Sequence, residues 1–229
     1  MNSDHNAPPL NPLPPIVWLM ALPLIGVELA IQLQSAGLLG AGAAMGWREA
    51  MFRHVMLLPE MLRLQWETGG HPADELYRLV SYALVHASFS DTLFATVLFL
   101  ALGKAVGEIL HWWAMLVVVF CALVAGGLAH GLLIPGLKAP LVGAYPAVYG
   151  LIGAFTSLIF SNLARVGASK YRAFSLIGFL MAVQLIFALV FGGNWKWVAE
   201  LSGFAAGFVV TFLVAPGGFQ RIRDQIRQR

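Results

Sequence analysis

Six apolar runs, each roughly 17 to 24 residues long, divide this sequence near Ile16–Leu33, Leu79–Leu102, Trp113–Ile134, Ala147–Leu163, Phe174–Gly192 and Val198–Val214. A helix of that length crosses about 30 Å of hydrocarbon. With 59% hydrophobic and 11% charged residues among 229, the chain has more apolar surface than a soluble domain of this size can bury. The sequence therefore predicts an all-α membrane protein with six transmembrane helices. One membrane domain occupies residues 16–215, between a disordered proline-rich N-terminus over 1–15 and a basic cytoplasmic tail over 216–229.

The first fifteen residues hold Pro8, Pro9, Pro12, Pro14 and Pro15 but no Lys or Arg. Without the positive n-region of a cleaved signal peptide, the first span is expected to stay. Cys121 is the only cysteine, which excludes an intrachain disulfide and thiolate-metal spacing. Neither metal nor other cofactor is expected. The net charge of +3 and pI near 9.2 do not point to nucleic acid, because the basic residues cluster where membrane topology puts them.

An even number of spans places both termini on one side. Putting them in the cytoplasm leaves Lys104, Arg165, Lys170, Arg172, Arg221, Arg223, Arg227 and Arg229 inside, against Lys138 and Lys196 in the short outer loops. Trp18, Trp112 and Trp113 then fall near inner span ends, and Trp195 and Trp197 near an outer one, as interfacial anchors do. A multi-pass protein of a bacterial inner membrane is the expected setting. In the long loop after the first span, Trp47, Met51, Val55 and Leu58 recur at near-helical spacing, with Arg48, Glu49, Arg53 and His54 between them. An amphipathic helix lying in the membrane interface is expected there, broken by Pro59. A second short interfacial helix is expected over Met61 to Trp66. Glu28, near the middle of the first span, must pair inside the bundle or face a partner helix, since exposure to lipid costs roughly 3 kcal/mol or more.

Three segments resemble the rhomboid intramembrane proteases. Tyr77-Arg78-Leu79-Val80-Ser81-Tyr82-Ala83-Leu84-Val85-His86 is similar to the Trp-Arg segment leading into the family's second helix. Gly143-Ala144-Tyr145-Pro146-Ala147-Val148-Tyr149-Gly150 resembles the Gly-x-Ser-Gly motif opening the fourth helix. Ala199-Glu200-Leu201-Ser202-Gly203-Phe204-Ala205-Ala206-Gly207 resembles the Ala-His-x-x-Gly-x-x-x-Gly motif of the sixth. The resemblance implies a six-helix rhomboid-like bundle in which Gly150, Gly153, Gly203 and Gly207 bring the catalytic helices together.

It also implies an altered centre. Tyr145 stands at the serine nucleophile position, Glu200 at the general-base histidine, and Asp91 and Ala95 at the oxyanion histidine and asparagine. Serine-type acyl transfer needs a compact hydroxyl, a base within reach and donors aimed at the oxyanion. Tyr145 offers a bulky phenol with a pKa of about 10, Pro146 has no backbone N–H, and an ionised Asp91 repels an oxyanion. His86 lies outside the catalytic pair and is expected to be a packing residue. Asp91, Tyr145 and Glu200, early on the second, fourth and sixth spans, are expected to converge in one polar pocket.

These replacements imply a rhomboid pseudoprotease with no catalytic residues. As in inactive rhomboid-like families such as the derlins, the expected partners are the lipid bilayer and transmembrane helices of other membrane proteins. A fixed structural subunit of a larger membrane complex is the alternative, and a residual serine-type endopeptidase the weakest reading. The charge bias makes a direct prediction. In a Cys121→Ser background, a cysteine at Arg172 should react with an impermeant maleimide only from the cytoplasmic side, and one at Lys138 only from the other; the reverse pattern inverts the topology.

Overall fold

A computed structural model describes residues 12–38, 46–68, 76–134, 136–191 and 195–215. Nine α-helices are found among them: α1 (Pro15–Ser35), α2 (Trp47–Val55), α3 (Pro59–Thr68), α4 (Arg78–Ser81), α5 (Phe89–Gly107), α6 (Trp112–Leu132), α7 (Tyr145–Arg165), α8 (Ser175–Phe191) and α9 (Lys196–Val214). Five of these, α1, α5, α6, α7 and α9, are long and apolar enough to cross a membrane. The remaining apolar run forms α8, whose 17 residues rise about 25 Å at 1.5 Å per residue. No strand forms among the described residues beyond a single antiparallel bridge between Leu57 and Leu141.

Three boundaries depart from expectation. The second span starts at Phe89 instead of Leu79, because Ser88 caps a new helix there. Its Oγ accepts from the Asp91 amide at 3.2 Å, while the Asp91 carboxylate accepts from the Ala87 amide at 3.3 Å. This Ser-x-x-Asp arrangement is a capping box displaced by one residue. The preceding residues 79–84 complete α4 and a 3₁₀ turn, Tyr82–Leu84. Pro59 opens α3 and does not break α2, which ends earlier at Val55; proline suits a first helical turn, where its missing N–H needs no partner. Toward the N-terminus, residues 12–15 are ordered and not part of a disordered arm: Pro15 opens α1 and Leu13 packs against the core. The rest of that arm, residues 1–11, and the basic tail, 216–229, lie outside the described residues.

The bundle is built on close helix contacts. α7 packs most extensively on α9, α6 covers both, α5 packs on α7, and α1 packs on α5. A Cβ added to Gly203 would overlap the Pro146 carbonyl, one on Gly207 the Gly150 backbone, and one on Gly153 the Phe204 carbonyl. The two backbones therefore touch. Glycine permits this approach, and in lipid it is packing of this kind that drives helix association. Gly126 on α6 enters the same seam, opposite Pro146 and the Ala199 carbonyl.

The segment between α1 and α5 is tied to one end of this bundle, called here the loop end. Arg63 on α3 donates to the carbonyls of Gly131 and Ile134 at 2.8 and 2.6 Å, closing the C-terminus of α6. Arg78 donates to the Arg53 and Met56 carbonyls at 3.1 and 2.9 Å, and Tyr77 donates to His54 at 2.8 Å, closing the C-terminus of α2. Cations at helix C-termini also complement the macrodipole.

The seam makes a quantitative expectation. Gly207→Ala should lower thermal stability in detergent by about 1–3 kcal/mol, the usual cost of overpacking. Gly178→Ala, where a Cβ meets nothing within 4 Å, is the control and should be neutral or stabilising.

Candidate functional site

The loop ends of α5, α7 and α9 hold the residues that the family resemblance singles out. α7 starts at Tyr145, with Pro146 in its first turn and Ala144 as N-cap. The turn before it depends on Gly143, whose φ of +99° is strained for a residue with a side chain and whose Cβ position lies 3.2 Å from the His86 ring. The Gly143 amide donates to the Tyr82 carbonyl at 2.9 Å, and the Tyr82 hydroxyl donates to the Leu123 carbonyl at 2.9 Å. The entry to α7 is thus fastened to both α4's extension and α6.

His86 sits at the centre of this end. It is fully buried, and its Nε2 accepts from the Ala144 amide at 3.0 Å, which requires the neutral imidazole with the proton on Nδ1. Its ring meets the Tyr145 ring edge-on, with centroids 6.5 Å apart. Burial pushes its pKa below the ordinary value of 6.5; Asp91 and Glu28 act in the opposite sense, and Arg48 and Lys196 reinforce the depression.

Around it, Tyr145 lies within electrostatic range of Glu200 and hydrogen-bonding range of Asp91, and Glu200 also acts on Tyr149. Glu200 and Tyr149 are buried, while Asp91 and Tyr145 are half-buried. Asp91, Tyr145, Tyr149, Glu200 and His86 therefore share one polar region. Ala95 lies one turn further along α5, fully buried, and brings no polar atom. Lys196, the first residue of α9, stands one helical turn before Glu200 and acts on both His86 and His130. Sequence reasoning placed it in a loop. Among the described residues no group of three or more His, Cys, Asp or Glu could hold a metal ion.

The Rhomboid domain family pattern matches residues 73–217, from the segment before α4 to the end of α9. This chain belongs to the rhomboid family. A search of curated proteins finds no match. As a rhomboid-family protein it is multi-pass and membrane-embedded, and the matched region covers every residue of the polar region just described.

Glu28, by contrast, belongs to a neighbouring network. Its carboxylate accepts from Arg48 at 2.6 Å, Gln32 at 2.7 Å and Thr92 at 2.7 Å. Of the two settings open to it, pairing within the bundle is the one adopted, and the cation comes from the long loop. Arg48, which lies between the apolar positions of α2, turns into the bundle, because a buried carboxylate without a cation costs far more than bending one guanidinium inward. Removing either partner should cost about 3–5 kcal/mol.

The His86 geometry fixes a pH dependence. Its pKa is lower folded than unfolded, so as pH falls the unfolded chain takes up the proton first. Stability is fully present above about 6.5 and declines as pH drops through that value toward the folded pKa. Thermal melts at about pH 7.5 and about pH 5.5 should show this loss in the parent and less of it in His86→Gln. An identical pH response in both proteins would exclude His86 as its source.

Proposed function

We propose that this rhomboid-family protein is a pseudoprotease: it keeps the family's bundle, performs no peptide hydrolysis, and binds transmembrane segments of partner membrane proteins as an adaptor or stability factor. The observation that carries this reading is the setting of Tyr145. A phenol occupies the motif's nucleophile position between two carboxyl side chains, and the imidazole in ring contact with it has its acceptor nitrogen engaged by the Ala144 amide.

Chemistry follows from that setting. A hydroxyl nucleophile needs a base that can take its proton, and His86 has no free lone pair to offer Tyr145. Donors for an oxyanion are also missing where the family supplies them. Ala95 has none, Pro146 lacks an N–H, the Ala144 amide is already donated, and the Asp91 carboxylate accepts from the Ala87 amide. Loss of even one such donor lowers rates by about 10²–10³.

With hydrolysis set aside, the retained seam and polar region support recognition of other helices. Ionisable side chains within a bundle are expensive and face its interior or a water-filled cavity, where a partner helix bearing polar groups finds hydrogen-bonding contacts. In this reading both termini are cytoplasmic, the loop end faces outward, and the membrane is a bacterial inner membrane. Partner binding is analogy at the level of fold. Its test is copurification: several integral membrane proteins recovered substoichiometrically from native nanodiscs support an adaptor, whereas one partner at constant stoichiometry marks a fixed subunit.

Catalytic silence is tested directly. The purified protein should leave model rhomboid substrates uncleaved and should not react with a fluorophosphonate; labelling lost on Tyr145→Phe overturns the proposal. Tyr145→Ser combined with Glu200→His should stay inactive or nearly so, with activity gained only when Pro146→Gly, Asp91→His and Ala95→Asn are added. Robust cleavage by the double variant would mean that the pocket retains its oxyanion donors.

A further inference from the structure

Three segments of the chain meet at one guanidinium. Arg48, in the first turn of α2, sends Nη2 to the Glu28 carboxylate on α1 and Nη1 to the backbone carbonyl of His86, each at 2.6 Å. Glu28 is anchored in turn by Thr92 on α5. The far side of His86 continues the path, since its Nε2 accepts from Ala144, the residue immediately before Tyr145. A continuous hydrogen-bonded chain thus runs from α1 and α2, through the turn between α4 and α5, to Ala144, the N-cap of α7. Neither end of this chain rests on whether Tyr145 has a partner or a substrate.

The helix at the near end is lightly held. α2 buries none of its residues. Its C-terminal half is held by Tyr77 and Arg78 through backbone carbonyls, but at its N-terminus the only other hydrogen bond to another element among the described residues is a long one, from the Trp47 amide to Gln34 at 3.5 Å. Arg48 is therefore the strong attachment of that half. A planar guanidinium can serve two acceptors in different directions at once, whereas a lysine ammonium is a point charge on a flexible stem.

We propose that Arg48 is a positioning residue that couples the placement of the interfacial helix α2 to the geometry of the Tyr145 region. When α2 sits at its place in the interface, both arms are engaged, the 85–88 turn is fixed, and the His86 ring holds the Ala144 amide. When α2 shifts, the arms withdraw together: Glu28 keeps Gln32 and Thr92, the turn loses its guanidinium, and the N-terminus of α7 loosens. Bilayer thickness is the simplest agent that moves an interfacial helix relative to spanning ones.

Amide hydrogen exchange of the full-length protein in nanodiscs reads this coupling at Ala144. Arg48→Lys retains a cation for Glu28 but cannot span both acceptors, so the melting temperature should stay near that of the parent. Exchange at Ala144 should nevertheless rise by up to about tenfold, the factor corresponding to one hydrogen bond, with mid-helix amides of α6 and α9 unchanged. Unchanged Ala144 exchange, or a uniform rise across α6, α7 and α9, overturns the proposal, the latter because it signals lost stability alone. The parent protein supplies a second measurement that needs no variant to fold. Its Ala144 exchange should differ between short-chain and long-chain phosphatidylcholine bilayers, and Arg48→Lys should abolish that difference. Equal Ala144 exchange of the parent in the two bilayers likewise overturns it.

Discussion

Two helical backbones in direct contact set the positions of nearly everything else in this protein. At the α7–α9 seam the glycines leave no side chain between the carbonyl of Pro146 and Gly203, or between Gly150 and Gly207. In hydrocarbon there is no hydrophobic force to hold helices together, so contact area and backbone approach do that work. Once α7 and α9 are fixed against each other, their loop ends are fixed too, and Tyr145, Tyr149 and Glu200 follow. α6 inserts Gly126 beside the same pair, and α5 then brings Asp91 from the next position.

A second set of contacts organises the loop end, beside the buried side chains of Leu57, Leu62, Leu79 and Leu141. Arg48, Arg63 and Arg78 each donate to backbone carbonyls. Helix C-termini leave carbonyls without intrahelical partners, and at a membrane interface these need donors that do not depend on bulk water. Guanidinium groups meet that need while keeping their charge. The surface pairs nearby differ in kind: Arg53 with Glu49 at 3.8 Å and Lys138 with Glu60 at 3.7 Å are exposed at both partners, and such pairs contribute little and are screened by salt.

The spans were legible because 20-residue apolar runs have few alternative readings, and the seam was legible through the family resemblance, since small residues four apart are common in apolar helices and weak evidence alone. The break at Ser88 is masked by the apolar residues that flank it, Leu79–Val85 before and Leu93–Leu102 after, which merge into one run although the Ser-x-x-Asp spacing does announce the cap. Glu28 was visible as a buried acid in need of a partner. Its cation was not, because Arg48 reads by periodicity as the polar face of an amphipathic helix and only the folded chain turns it inward. The role of Tyr77 and Arg78 was likewise hidden: composition shows a basic residue, and geometry shows a cap on a helix more than 20 residues earlier. Of the polar region, the participants were legible from the motif and their contacts were not, Lys196 having been placed outside the helix that carries it.

Arg63 also orders events during synthesis. Its acceptors on and after α6 lie 68 and 71 residues later in the chain. At about 5–20 residues per second, the ribosome needs several seconds to supply them. Throughout that interval α3 has been made but the C-terminus of α6 has not, so Arg63 lacks its folded-state acceptors until the third span arrives to supply them.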